Sequence, residues 1–334
     1  VRRLPFAAAL ALLAAGGARA VPPIEPVGGP AAAELAGEPA PRPRDLTLRF
    51  AWPRAFEARV TYRRVVARTG APERTFTARY SEKSSRVGDE FRIVSSGTRW
   101  EGLIPYPADE VKPAARASEA VVQRIGADGA FIGLENEDAL RPVLQRIYEG
   151  AGLSDEESER AVERVETSLV DEARDGWNLA VGFWIGAELD FGKAWEKVVD
   201  APVWLLPAVP VKSRVRMEAR RRVPCTASER RARCVELTLH SEPDPSALPV
   251  LTRPMVAKLL GEEKGFAPGD VREIGLTTDL TLVTDPATLL PYRVVWRRAV
   301  RGAVVDDEGA RDVEDVERTE WSWVYRWTSR SSKD

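Results

Sequence analysis

The sequence has one histidine, His240, and two cysteines, Cys225 and Cys234. A single histidine excludes H-E-x-x-H and every other metal motif that needs two. It also confines any Ser-His-acid triad to His240, and no G-x-S-x-G elbow supplies the serine. No lysine follows a serine at the third position, so the S-x-x-K arrangement is missing as well. The cysteines stand nine positions apart, too far for the C-x-x-C redox motif. No apolar run approaches the ~20 residues that span a hydrocarbon core, and no repeat of 20–50 residues is present. The acidic run Asp306, Asp307, Glu308, Asp312, Glu314, Asp315 and Glu317 lacks the D-x-D-x-D-G ladder of a calcium loop and reads as a solvated hairpin tip. A glycosidase pair is not defined by sequence, which carries no separation between carboxylates. No motif therefore implies an enzyme, a cofactor or a metal.

The N-terminus carries a different signal. Val1-Arg2-Arg3 is basic, Leu4 to Ala15 is apolar apart from Pro5, and Ala18-Arg19-Ala20 is small-x-small. These are the three parts of a cleavable secretory signal, so residues 1–20 are expected to be removed. The apolar stretch is too short for a membrane anchor, Pro22-Pro23 stops any helix, and no cysteine stands at the cut for lipid attachment. The mature chain is then expected to be periplasmic or secreted, bacterial, and not membrane-spanning. Removing Arg2, Arg3 and Arg19 moves the net charge from −2 to −5, an acidic balance that argues against nucleic acid as a partner. In an oxidising compartment Cys225 and Cys234 read as a disulfide clamping the neck of a hairpin.

Residues 21–44 are rich in Pro, Ala and Gly without any period and read as a disordered spacer, as do 329–334 as a tail. From Phe56 the period is two. Phe56, Ala58, Val60 and Tyr62 alternate with polar residues, Gly70-Ala71-Pro72 turns, and Phe76, Ala78 and Tyr80 resume. Strands are predicted at Glu90–Ser95 and Thr98–Leu103, and a hairpin at 120–135 around Gly126-Ala127-Asp128-Gly129. A helical block spans about 137–190. Leu140, Val143, Leu144 and Ile147 make one helical stripe, and Ser154 with Glu157 is a capping box opening a second, interrupted at Gly176. Trp177–Ala187 is apolar nearly all round and reads as a core helix against the sheet. Six more strands follow, at 194–199, 211–223, 234–240, 275–284, 292–301 and 316–328, with a helix at about 249–260. On the last strand Trp321, Trp323, Tyr325 and Trp327 share a face that must be covered.

The fold class is therefore α+β: a large curved, mainly antiparallel β-sheet with a helical block packed on one face, forming a single domain over 45–328. In this layout, with interior aromatics and helices able to plug the sheet, the chain resembles the LolA-like periplasmic lipoprotein carriers. The resemblance rests on the strand alternations, the Trp177–Ala187 segment and the Trp321–Trp327 face. It implies an exported, non-enzymatic protein of the cell envelope that binds or carries an apolar ligand or lipid. Trp321, Trp323, Tyr325 and Trp327 would line the cavity, with Trp184 on the covering helix.

Two alternatives stay open: a filled-core module and, least favoured because no nucleophile–base pair or metal set is visible, an enzyme. The aromatics are equally those of a filled core, and the protein is then a structural or interaction module of the envelope. Its docking surface would be the acidic hairpin or the arginine cluster Arg220, Arg221, Arg222, Arg230, Arg231 and Arg233, the latter facing an acidic envelope protein or anionic lipid. His240 alternates with Glu236 and Thr238, opposite Val235, Leu237 and Leu239, and is assigned to a solvated strand face.

Overall fold

The computed structural model describes residues 45–102, 119–150, 152–203, 206–260, 271–306 and 309–326. The signal-like segment 1–20, the spacer 21–44, Trp327 and the tail 329–334 lie outside the described residues. Among the described residues there are thirteen strands: β1 (Leu46–Thr47), β2 (Ala55–Arg68), β3 (Ala71–Val87), β4 (Glu90–Gly102), β5 (Val122–Gly126), β6 (Phe131–Glu135), β7 (Glu188–Leu189), β8 (Ala194–Val203), β9 (Leu206–Val223), β10 (Cys234–Pro243), β11 (Val271–Thr284), β12 (Pro291–Asp306) and β13 (Gly309–Arg326). Eleven of them make one antiparallel sheet in the order β6-β5-β4-β3-β2-β13-β12-β11-β10-β9-β8, while β1 pairs with β7. Each half is a meander. The seam is β2 against β13, which sets Tyr62 opposite Trp321 and Val60 opposite Trp323.

The sheet is strongly curved. Backbone N–H groups of Arg49 and Ala51 donate to Pro286 and Thr288 in the β11–β12 turn. The ring of Phe50, between them, lies edge-on to Phe91 of β4 at 5.8 Å. Four strand spacings separate β4 from β12, roughly 19 Å in a flat sheet. One residue bridges them only because the sheet folds round the 46–52 segment.

Three longer α-helices stand among the described residues: α1 (Arg141–Gly150), α2 (Asp155–Ala180) and α3 (Leu248–Leu260). Ser154 caps α2 and Glu157 reaches back to it, as the capping box predicts. Helix α1 and the first part of α2 bury Leu140, Leu144, Val162 and Leu169 against each other. Only the end of α2 enters the sheet, where Trp177, Val181 and Trp184 join the main core. Helix α3 covers the other end of the same face, setting Leu251 and Met255 against Leu276, Val300 and Val313. That both helical plugs share a face follows from period two: Val294 of β12 borders the same cavity as the α2 end, while Val300, six residues on, packs with α3.

Several expectations are corrected. Gly176 does not interrupt α2, which runs on to Ala180. A helical glycine costs about 1 kcal/mol, and burying Trp177 in the sheet core outweighs it. Trp177–Ala187 is not a helix of its own but the last turn of α2, a 3-10 turn (Gly182–Trp184) and the extended link to β7. The two strands predicted at 90–103 are one, β4. Gly97, at φ 68°, takes up a bulge between the pairs Arg79–Arg99 and Ser81–Ser96, so the alternation changes phase inside a continuous strand. Ala71 belongs to β3, leaving Thr69-Gly70 as the turn. The acidic run is not uniformly solvated either: Asp315 is buried, and Glu317 sits between two arginines on the covered face.

Candidate functional site: a carboxylate in an aromatic cleft

The covered face is largely filled. Trp184 is fully buried and donates its indole N–H to Leu179 O at 2.9 Å. Between the sheet and the end of α2, however, lies a cavity of about 60 Å³, partly open to solvent, whose walls include Trp52, Tyr80, Trp177, Trp321 and Trp323. A single water needs only about 10–15 Å³ on that measure, so the space admits a few waters or a small chemical group.

The sheet builds its floor by register. Between the inward Phe56 and Tyr62 of β2 stand two small inward residues, Ala58 and Val60. Ala58 separates Glu82 of β3 from Tyr325 of β13, and Val60 separates Tyr80 from Trp323. The long side chains on either side lean over this furrow. The roof is Trp52 with residues 176–181. Trp177 is fixed by donating its indole N–H to Gly129 O in the β5–β6 turn at 2.8 Å. Trp52 packs edge-on against Trp177 at 5.1 Å, Phe56 at 5.0 Å and Phe91 at 6.0 Å.

Among the described residues Glu82 is the one carboxylate lining the cavity. Burial raises its pKa to about 7, against a weak opposing pull from the Trp323 indole N–H at 3.5 Å. Burial, and then the neighbouring Glu82, also push the phenols of Tyr80 and Tyr325 well above their ordinary value. The site thus holds one group that changes charge near neutrality, surrounded by rings that do not.

Of the residues singled out from sequence, Trp321 and Trp323 line the cavity. Tyr325, on the same face, is not among the lining residues; it donates its hydroxyl to Pro291 O at 2.7 Å and packs on Phe56 and Tyr292. Trp184 lies in the core away from the cavity, and Trp327 is outside the described residues. The sequence reading missed Glu82, Trp52 and the wall position of Tyr80. Glu82 was within reach of the pattern: Phe76, Ala78 and Tyr80, continued by two residues, place it on the buried face.

Cys225 and Cys234 form a disulfide at the β9–β10 neck, and both are buried. The arginines around it are interleaved with acids and rings. Arg220 approaches Glu218 at 3.5 Å, Arg221 approaches Glu236 at 3.4 Å and Arg222 lies over Phe191 at 5.5 Å. Arg233 donates to the Tyr292 hydroxyl at 2.9 Å and lies 3.6 Å from Glu229, while Arg230 and Arg231 are exposed. His240 is half-exposed on the outer face, its Nδ1 2.7 Å from Asp279 Oδ1. Among the described residues no cluster of three His, Cys, Asp or Glu could hold a metal ion, and no helix is long and apolar enough to cross a membrane.

No protein-family model matches the chain, and no curated protein matches it. Among solved structures, lipovitellin, from a study of its lipid–protein interactions, aligns with 84% of this chain and 26% of its own, at a TM-score of 0.43 and 7% identity. DynF, from the dynemicin biosynthesis pathway of Micromonospora chersina, aligns with 86% of this chain and 92% of its own, at a TM-score of 0.19 and 8% identity. This chain therefore spans about a quarter of the lipovitellin chain. At these TM-scores neither likeness bears on function.

Proposed function

We propose that the protein is an exported, non-enzymatic binding module of the bacterial cell envelope that takes a small, mainly apolar ligand in the cleft between the sheet and the end of α2. The observation that carries this reading is the cavity itself. Five aromatic residues meet around a partly open space on a sheet face that is elsewhere filled by protein. Ligand sites combine apolar walls with a few placed polar groups, and here Glu82 and Gln123 are those groups. The disulfide accords with an oxidising compartment, and the curved antiparallel sheet is the layout that the carrier resemblance implies.

The test is a titration with the neutral fluorescent probe N-phenyl-1-naphthylamine, whose phenyl ring would enter the cavity while its naphthyl body rests at the open side. Saturable enhancement is expected, with affinity at least tenfold weaker in Ala180→Leu, whose added side chain occupies the cavity. Equal binding by the two proteins, or none by either, overturns the reading. It would favour the second one, an interaction module, for which the filled remainder of the covered face speaks.

A further inference from the structure

A purely hydrocarbon ligand leaves Glu82 unexplained. A carboxylate in an apolar enclosure is costly unless something pairs with it. Its contact within the protein is the Trp323 indole N–H at 3.5 Å, at the outer limit of a hydrogen bond. The influences on its ionisation are burial and that indole, and no arginine, lysine or histidine figures among them. The ionisable groups facing it are Tyr80 on its own strand and Tyr325 across β2, both held in the neutral phenol form. The roof contributes none: Trp52, Gly176, Trp177, Leu179, Ala180 and Val181 carry no charge. Two cations on the same face, Arg64 and Arg298, are engaged with Glu317 and do not line the cavity.

The walls reinforce the sign of the floor. Indole and phenol faces carry partial negative charge and attract cations, most strongly where water is excluded. An anionic head group would meet Glu82 with no cation among the described residues lining the cleft to offset it. A cationic one would meet a carboxylate and several rings. We propose, building on the binding reading above, that the cleft recognises a cationic nitrogen, an ammonium or methylated ammonium group borne on an apolar body, with Glu82 as its counter-ion and Trp52, Tyr80, Trp177 and Trp323 as its aromatic surround. The cavity of about 60 Å³ suits such a head group, and its open side leaves the remainder of the ligand room to extend. Because Glu82 takes up a proton near neutrality, recognition should strengthen as pH rises through about 7.

Three probes of one shape separate the possibilities: choline, its neutral isostere 3,3-dimethylbutan-1-ol, and the anion 3,3-dimethylbutanoate. Each is titrated by calorimetry at pH 8 and pH 6 into the wild type, Glu82→Gln and Glu82→Asp. Choline is expected to bind the wild type at least tenfold more tightly than the alcohol at pH 8, with most of that preference gone at pH 6. Glu82→Gln should bring choline and alcohol to parity while still binding the naphthylamine probe, which shows that its cleft is intact. Glu82→Asp, which keeps the charge, should restore part of the preference. Equal affinities for choline and alcohol in the wild type, a preference for the butanoate, or an unchanged preference in Glu82→Gln would overturn the proposal. If the naphthylamine probe binds in any of those cases, the binding reading survives and the cation falls alone. If no probe binds at all, both fall.

Discussion

Glu317 accepts from Arg298 at 2.8 Å on the covered face of the sheet, and its other carboxylate oxygen accepts from Arg64 at 2.7 Å. The three side chains join β12, β13 and β2, so the ion group straddles the seam between the two meanders. Burial would raise the Glu317 carboxyl, but the attraction of Arg298 and Arg64 outweighs it and holds the pKa at about 2. Removing one partner from a buried ion group exposes the remaining charges to an environment that cannot solvate them. Glu317→Gln should therefore cost about 3 kcal/mol or more, read as a lowered midpoint in urea. The sign with pH follows from the depressed value. The contribution is complete above the unfolded carboxyl range and fades as pH falls toward 2. Acid titration of wild type and variant should converge there, and parallel curves would count against the role assigned to this pair.

Glu82 predicts the opposite trend. Its folded pKa of about 7 lies above the ordinary 4.5, so between those values the folded protein binds more protons than the unfolded chain. Stability from this group is then greatest below about 4.5 and declines as pH rises through 7. The full difference is on the order of 3 kcal/mol. Glu82→Gln should remove the decline and be the more stable protein at pH 8 in the absence of ligand, measured by urea unfolding across pH 4–8. A variant less stable than wild type at pH 8 would show that Glu82 is better paired than its surroundings imply.

These two carboxylates also mark how far periodicity reaches into the structure. Phe56, Ala58, Val60 and Tyr62 announce a strand and its buried face, and the structure keeps both. The same count carried two residues on reaches Arg64, and carried back from Trp321 it reaches Glu317, yet neither residue looks buried by type. Alternation reports a face, and a charged residue on that face is the signal. What periodicity lacks is partnership. Nothing local says that β2 pairs with β13 rather than with a nearer strand, since that seam joins positions 253 apart in the chain. Local rules also misjudged Gly176 and Gly97. A glycine inside a helix reads as a stop until the burial of Trp177 is known, and a bulge reads as a break between two strands. The cleft was half legible: Trp321 and Trp323 came from their strand, while Trp52 and Trp177 meet them through tertiary packing.

The Cys225–Cys234 bridge closes a loop with a sequence separation of 9 at the end of the β9–β10 ladder. In the chain-entropy model such a closure is worth about 2–3 kcal/mol. Both cysteines are buried in the main core, Cys225 just past the end of β9 and Cys234 at the start of β10. Replacing both with serine adds the burial of two hydroxyls, whereas replacing both with alanine removes the bridge with less polar penalty. The double alanine variant should lose about 2–3 kcal/mol, and the double serine variant more. Urea unfolding of both, beside the wild type under reducing conditions, checks the order. Equal losses would mean that the hydroxyls find partners at the neck.

Gly129 tests the fit between the β5–β6 turn and the roof of the cleft. Its φ of 90° already favours glycine, and a Cβ there would come within 2.5 Å of Ile185 Cδ1 and 2.7 Å of the Phe50 ring. Its carbonyl also holds the Trp177 indole. Gly70, in the β2–β3 turn, has a comparable φ of 78° with nothing within 4 Å of the same added atom. Backbone strain is therefore shared by the two sites, while steric conflict belongs to one. Gly70→Ala should cost about 1–2 kcal/mol from conformation alone. Gly129→Ala should exceed it by about 1–3 kcal/mol as Phe50 and Ile185 are displaced, and it should weaken naphthylamine binding because Trp177 moves with its acceptor. A Gly129→Ala protein as stable as Gly70→Ala, with binding intact, would mean that the turn and the roof move independently, and Trp177 would then need another anchor.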